Sequence, residues 1–135
     1  MDARPSEFAN GDSQSYWQAA REGRLEFQQC QSCQHIQFPP RFQCEKCWDN
    51  SLAPYTCAGT GRIESVTTVE RAPLPQFRDK APYVVVSVIT TEGPRMITNL
   101  IGENALHAAI GDAVEVAFEE DHNGNMLPQW TLASK

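Results

Sequence analysis

The sequence predicts a mainly β chain in two parts, a metal-stapled hairpin module followed by a small five-stranded barrel. Three observations carry this. Cys30, Cys33, Cys44 and Cys47 make two C-x-x-C hooks with ten residues between them. From Gly61 onward, β-branched and aromatic residues recur in short runs between turn signals, which is the composition of strands on a half-buried surface. The chain has 135 residues and 41 % apolar content, enough for one modest core and a stapled module but not for two large domains.

Residues 1–12 are polar, contain a proline and a glycine and lack an apolar period, so they are expected to be disordered. A short helix follows through Tyr16, Trp17, Ala19, Ala20 and Arg21, with Ser13 or Ser15 as its N-cap and Gly23 as its stop. A helix this short is unstable alone. Tyr16 and Trp17 must therefore dock on something, either the rest of this chain or a partner protein.

Leu25 and Phe27 lead as a strand into the first hook, and Ile36 and Phe38 continue between the hooks to Pro39 and Pro40. Two thiolates three positions apart on a tight turn can grip one tetrahedral ion, and two such turns complete a closed four-thiolate zinc site. A closed site has no open position for water or substrate, so one structural zinc per chain is expected. A disulfide framework is the rival, but five cysteines are an odd number and no hydrophobic secretory leader precedes them. Reduced thiols point to the cytoplasm. Cys57 reads as a small buried hydrophobe rather than a nucleophile. The polar stretch with Asp49, Asn50, Ser51 and Pro54 reads as a linker, which divides the chain into a helix plus ribbon over 13–53 and a barrel over 54–135.

Five strands are expected in the second part. The first runs from about Gly61 to Glu70, the second from Tyr83 to Thr90, and Glu92-Gly93-Pro94 turns it into a third from Arg95 to Ile101. A helical turn from Asn104 to Ala109 closes at Gly111-Asp112. Val114, Val116 and Phe118 alternate as a fourth strand, Asn123-Gly124 is a hairpin turn signal, and Met126 to Leu132 returns as the fifth. Five short strands with a helical insertion after the third match the OB barrel, with a small five-strand sandwich as the rival.

A metal ribbon joined to such a barrel raises nucleic-acid binding, and the charge argues against it. The net charge is -6, and residues 58–135 carry ten acids against six bases, ending in Glu119-Glu120-Asp121. Aromatic platforms are equally scarce, since Tyr83, Phe118 and Trp130 fit core or rim packing. No apolar run reaches membrane-spanning length. An enzyme finds little support either. No nucleophile or acid–base signature appears, His35, His107 and His122 read as surface or metal-flanking residues, and Gly59-Thr60-Gly61 lacks the lysine of a phosphate loop.

The order of motifs is more specific. Tyr16-Trp17 leads to Arg21-Glu22-Gly23, and Phe38-Pro39-Pro40-Arg41 lies between the hooks. Then come Gly59-x-Gly61, Pro82-Tyr83 before valines, Gly93-Pro94-Arg95 with Asn99, and Gly111-Asp112 before Val114-x-Val116. Over about residues 15 to 132 this resembles the acyl-CoA-associated family with a rubredoxin-like zinc ribbon and an OB-fold, formerly a domain of unknown function. The resemblance implies a non-catalytic accessory subunit of a thiolase-superfamily enzyme (thiolase, acyltransferase or retro-aldol lyase) acting on acyl-CoA thioesters, with two copies flanking a dimeric core. Gln34 and Trp48 depart from the family pattern, standing where a glycine often follows each hook; Trp48 is expected to cover the metal.

The residues add candidate contacts for acyl-CoA or a partner. Arg41 follows two prolines and Arg95 follows Gly93-Pro94, so each guanidinium is pre-positioned for a phosphate or a carboxylate; an intramolecular ion pair is the alternative for both. The loop from Arg71 to Pro82 is long for a barrel connection, and Arg71, Leu74, Phe77 and Arg78 supply cationic and apolar contacts within it. Folding of this loop over the barrel mouth is the alternative. A free-standing acyl-CoA binding and delivery module is the second functional reading.

Overall fold

A computed structural model of the protein describes residues 14–71, 75, 82–120 and 124–133. The expectations for residues 1–12, Ser13, Leu74, Phe77, Arg78 and His122 lie outside the described residues. The element order is α1 (Gln14–Arg21), β1 (Glu26–Cys30), β2 (Ile36–Gln37), β3 (Leu52–Thr56), β4 (Thr60–Val69), β5 (Tyr83–Thr90) and β6 (Arg95–Ile101), then a 3-10 turn (Ala105–His107), β7 (Ala113–Glu120) and β8 (Met126–Leu132).

In α1, Tyr16, Ala19 and Ala20 fall at the i, i+3, i+4 spacing of one helix face, and all three are buried. The two alanines let the helix backbone lie close against β1 and β8, so α1 touches both the ribbon sheet and the barrel. The helix ends in a Schellman cap. The Arg24 N–H donates to the Ala19 carbonyl (2.9 Å) and the Gly23 N–H to the Ala20 carbonyl (3.0 Å), a turn that needs the left-handed φ of +79° at Gly23. Ser15 is not the N-cap: it lies inside the first turn and its hydroxyl donates to the Glu26 carboxylate on β1.

Tyr16 docks within the chain. Its ring lies 5.4 Å from that of Phe38, which is 5.2 Å from Phe27 of β1, and Trp17 meets Tyr16 edge-on at 4.9 Å. Edge-on and tilted pairs at these separations are favoured by the ring quadrupoles. Burial pushes the Tyr16 phenol well above its ordinary range, with the Cys57 thiol adding to the shift.

The ribbon sheet has three strands in the order β2-β1-β3. β1 pairs with β2 at Gln28↔Gln37 and Gln29↔Ile36, and with β3 from Glu26↔Thr56 to Cys30↔Leu52. The stretch expected as a linker is therefore partly structural, because Leu52–Thr56 completes this sheet. Pro54 had disguised it. A proline cannot donate a ladder hydrogen bond, but an edge strand can present that position outward, and β3 is an edge.

The barrel closes in the order β4-β5-β6-β8-β7, with β7 returning to β4. β6 and β8 run parallel through Leu100↔Trp130 and Ile101↔Thr131, and the other neighbours are antiparallel. This is the five-stranded OB arrangement with its helical insertion between the third and fourth strands. Val84, Val86 and Val88 alternate inward along β5 and pack with Ile63, Leu100, Val114 and a fully buried Trp130. The barrel core is continuous with Tyr16, Leu25 and Phe27, so ribbon, helix and barrel share one interior.

Gly61 shows what the Gly59-x-Gly61 motif does. A Cβ at Gly61 would sit 2.6 Å from the Ile89 carbonyl oxygen and 2.7 Å from Val88 Cγ1, so only glycine lets β4 cross β5 this closely. Gly61→Ala is expected to destabilise the fold by about 1–3 kcal/mol through displacement of β5. A urea midpoint equal to that of the wild type would remove this account.

Candidate metal centre and surface grooves

The first hook sits in the turn between β1 and β2, and the second follows in the loop before β3. Together they bring the four sulfurs within 4.8 Å of one another. Cys30 Sγ lies 3.5 Å from Cys47 Sγ, and Cys33 Sγ lies 3.6 Å from Cys44 Sγ. A tetrahedron with metal–sulfur bonds of about 2.3 Å has edges of about 3.8 Å, so this spacing fits a four-thiolate ion.

Backbone amides point at the sulfurs. The Cys33 N–H lies 3.5 Å from Cys30 Sγ, and the Lys46 and Cys47 amides lie 3.3 and 3.5 Å from Cys44 Sγ. Burial raises the Cys44 thiol, but the Cys47 and Lys46 amides and the neighbouring thiols outweigh it and bring it down to about 6. The Cys33 and Ser32 amides likewise hold Cys30 below the ordinary thiol range against its burial. Cys47 shows the other side of this coupling. The Asp49 amide lowers it, yet desolvation and the three neighbouring thiols push it up to about 12. Amide hydrogen bonds thus favour thiolate at Cys30 and Cys44, and a bound cation would relieve the crowding of sulfurs that opposes ionisation of Cys47.

Each hook turns through a left-handed residue, Gln34 at φ 69° and Trp48 at φ 71°. Trp48 does not cover the metal site. It is 74 % exposed, because the turn that places Cys47 directs the following side chain outward.

Gln37 carries a role that the sequence did not signal. Its side chain is buried, its amide donates to Gln28 Oε1 (3.1 Å) and the Gln43 carbonyl (3.2 Å), and its Oε1 accepts the Glu45 N–H (2.8 Å). It thereby fastens the second hook to the β1–β2 hairpin. Asp49 adds a second fastening, since its carbonyl accepts the Cys44 N–H (2.8 Å) and its carboxylate accepts the Ser32 hydroxyl. A polar residue between hooks has no distinguishing pattern in sequence, and its value appears only once the loop closes.

The candidate cationic contacts are not gathered into one site. Gln28 clamps the Arg41 main chain, accepting its N–H and donating to its carbonyl, both at 2.8 Å. Arg41 lines a cleft of about 350 Å³ with Tyr16, Glu26 and the exposed Phe42. Arg95 lies in a different groove of about 630 Å³ between ribbon and barrel, beside Glu92 and His35, which pairs with Glu45 at 2.7 Å. Its Nε donates to Glu64 Oε1 at 2.7 Å, the intramolecular ion pair considered from the sequence. Arg95 and the Ser87 hydroxyl hold the Glu64 carboxyl below its usual range. Arg71 is exposed beyond the end of β4. No helix among the described residues is long and apolar enough to cross a membrane.

Two family models match this architecture. The rubredoxin-like zinc ribbon domain of ChsH2 matches residues 17–53, and the C-terminal OB-fold domain of ChsH2 matches residues 55–119. A DUF35 domain-containing scaffold protein of Methanothermobacter thermautotrophicus is 34 % identical over 92 residues, covering 67 % of this chain and 68 % of the relative. The chain belongs to the ChsH2/DUF35 family. Its resemblance to an acyl-CoA-associated ribbon–barrel family, read from the motifs, is thus borne out.

Other similar proteins set the context. A probable enoyl-CoA hydratase alpha subunit of Thermomonospora curvata is 36 % identical over 99 residues, which make up 73 % of this chain. This chain spans only 30 % of that relative's length. Among solved structures, the Ltp2-ChsH2(DUF35) aldolase contains a chain that matches with a TM-score of 0.82 and 33 % identity, covering 93 % of this chain and 97 % of that one. A DUF35-family protein of unknown function from Sulfolobus solfataricus matches with a TM-score of 0.67 at 12 % identity, a likeness of fold, over 98 % of this chain and 93 % of that one.

Two outcomes are expected at this centre. Gln37→Ala leaves the Glu45 amide and the Gln43 carbonyl without their partner, at a cost of about 1–3 kcal/mol, and should speed metal transfer to a competing chelator. A transfer rate equal to that of the wild type would show that Gln37 does not hold the hook. Cys57 is half-buried, and burial first, then the charges of Glu92 and Glu26, push its thiol up to about 12 despite the Phe27 amide. A thiol whose folded pKa is raised stays protonated at pH 8, so its alkylation by iodoacetamide should be at least tenfold slower in the folded protein than in urea. Peptide mapping of the alkylated residue provides the check, and equal rates would refute the assignment.

Proposed function

We propose that the chain is a non-catalytic zinc-binding accessory subunit of a thiolase-superfamily enzyme acting on acyl-CoA thioesters. It stabilises that enzyme and borders the path of the CoA substrate. The observation that carries this reading is the likeness, along nearly the whole chain, to a component of the Ltp2-ChsH2(DUF35) aldolase. The name of the Thermomonospora relative, an enoyl-CoA hydratase alpha subunit, supports the same acyl-CoA context. Of the possible partners, a retro-aldol lyase is the one this likeness favours.

The metal in this reading is zinc. Four thiolates at near-tetrahedral spacing suit that ion, and a site filled by four protein sulfurs leaves no position for substrate. Zinc would hold the two hooks together and do no chemistry. Arg41, whose main chain is clamped, is proposed to meet anionic groups, and Arg95 is proposed to do so by exchanging the Glu64 carboxylate for the incoming anion. Arg71 and the neighbouring Leu74, Phe77 and Arg78 are proposed as contacts on the same grounds of charge and apolarity. Two copies flanking a dimeric enzyme core, in the cytoplasm, complete the proposal.

The test is purification of the tagged chain from its native cells, with identification of stoichiometric partners by mass spectrometry and zinc assayed in the same eluate. A thiolase-superfamily enzyme with about one zinc per copy of this chain is the expected result. A zinc-loaded chain that elutes alone and binds CoA esters by itself would overturn the accessory reading.

A further inference from the structure

A third groove is lined by neither Arg41 nor Arg95. It lies at one end of the barrel, has a volume of about 740 Å³, and is walled by the start of β5, the end of β6, the 3-10 turn, the end of β7 and the start of β8. Its floor is apolar, with Tyr83, Leu100, Ile101 and Leu127 among the lining residues. Leu106 is 53 % exposed at the edge, an uncovered anchor position of the kind that fills when a partner docks.

The rim decides what can enter. Glu103, Glu119 and Glu120 are exposed at the groove, and none has an ion pair among the described residues. Cross-strand pairing places Glu119 opposite Leu127 on one face, so this acid stands beside the apolar lining, and Glu120 borders the groove from the last position of β7. The volume alone would suit a small ligand. A CoA thioester, however, carries several phosphate charges, and bringing them against three carboxylates is repulsive. An apolar cover without cations would strip water from those carboxylates with no compensation. Only a segment that presents both aliphatic surface and basic side chains satisfies the floor and the rim together.

We propose that this barrel-end groove is the docking site for a basic, aliphatic-bearing segment of the partner enzyme. The inference rests on the accessory-subunit reading and adds to it a surface, a polarity and a sequence chemistry for the partner. Arg41 and Arg95 both lie outside this groove.

The experiment uses the full zinc-loaded chain and the thiolase-superfamily enzyme recovered with it, titrated by calorimetry at low and high salt. The double variant Glu119→Lys/Glu120→Lys should weaken binding at least tenfold, and the wild-type affinity should fall as salt rises. Glu115→Lys, on β7 but outside the groove, should stay within twofold of the wild type. If the double variant folds poorly, Leu106→Ser provides the same test on the apolar floor. Wild-type affinity in the folded groove variants would overturn the inference while leaving the accessory reading intact. Wild-type chain that binds no such enzyme would sink the reading on which the inference rests. Two further results would overturn it by naming another occupant. One is dimerisation of the isolated chain that the double variant abolishes, which assigns the groove to a second copy. The other is a lowered melting temperature in the variant with unchanged affinity, which assigns it to another segment of this chain.

Discussion

The strand Glu26–Cys30 is bonded on both sides, and almost everything else is positioned from it. Its last residue is the first sulfur of the metal centre. Phe27 enters the shared interior and meets Phe38, through which the helix ring Tyr16 is seated. Gln28 reaches across to clamp Arg41 and support Gln37, which in turn secures the second hook. Just before the strand, the Leu25 carbonyl accepts the Cys57 amide at 2.8 Å and ties in the chain as it leaves for the barrel. A short strand at the edge of a small module would be a weak foundation. Paired centrally, with an aromatic cluster on one face and a ligand at its end, it transmits order from the metal site to the helix and so to the barrel.

The helix explains why two small parts behave as one body. A ribbon of about forty residues has too little interior to be stable by burial alone and depends on its metal. A five-stranded barrel of this size is also marginal. Ala19 and Ala20 allow α1 to lie against β1 and β8 at once, and the helix's apolar face then serves both cores. The close approach is the point: larger side chains at these two positions would hold the sheets apart and divide the interior.

Much of this was legible in the sequence because the relevant signals are local. The hooks announce the sulfurs, the alternation of Val84, Val86 and Val88 announces a half-buried strand, and Gly23 announces the end of the helix. The barrel strands expected from Tyr83 to Thr90, Arg95 to Ile101 and Met126 to Leu132 have the bounds observed. The missed features depend on distant partners. Leu52–Thr56 reads as linker until β1 supplies a neighbour, and Pro54 is acceptable only because that neighbour makes it an edge. Ser15 looks like a cap until Glu26 is seen to take its hydroxyl. Trp48 was expected over the metal because a large aromatic usually seeks cover, but the left-handed turn that follows the hook fixes its direction first. The barrel-end groove was the least visible feature, since its walls come from five separate segments.

Charge placement then bears on function more than net charge does. The total of -6 argues against polyanion binding in general, yet it says nothing about where an anion could still be met. The structure divides the question. Ribbon residues place Arg41 on a rigid main chain, while the barrel end gathers Glu103, Glu119 and Glu120 around apolar floor. The two grooves share no lining residue, and charges farther apart than about 8–10 Å are largely screened at physiological salt, so local sign matters more at each groove than the total does. A uniformly charged surface of either sign would erase that difference between the two regions.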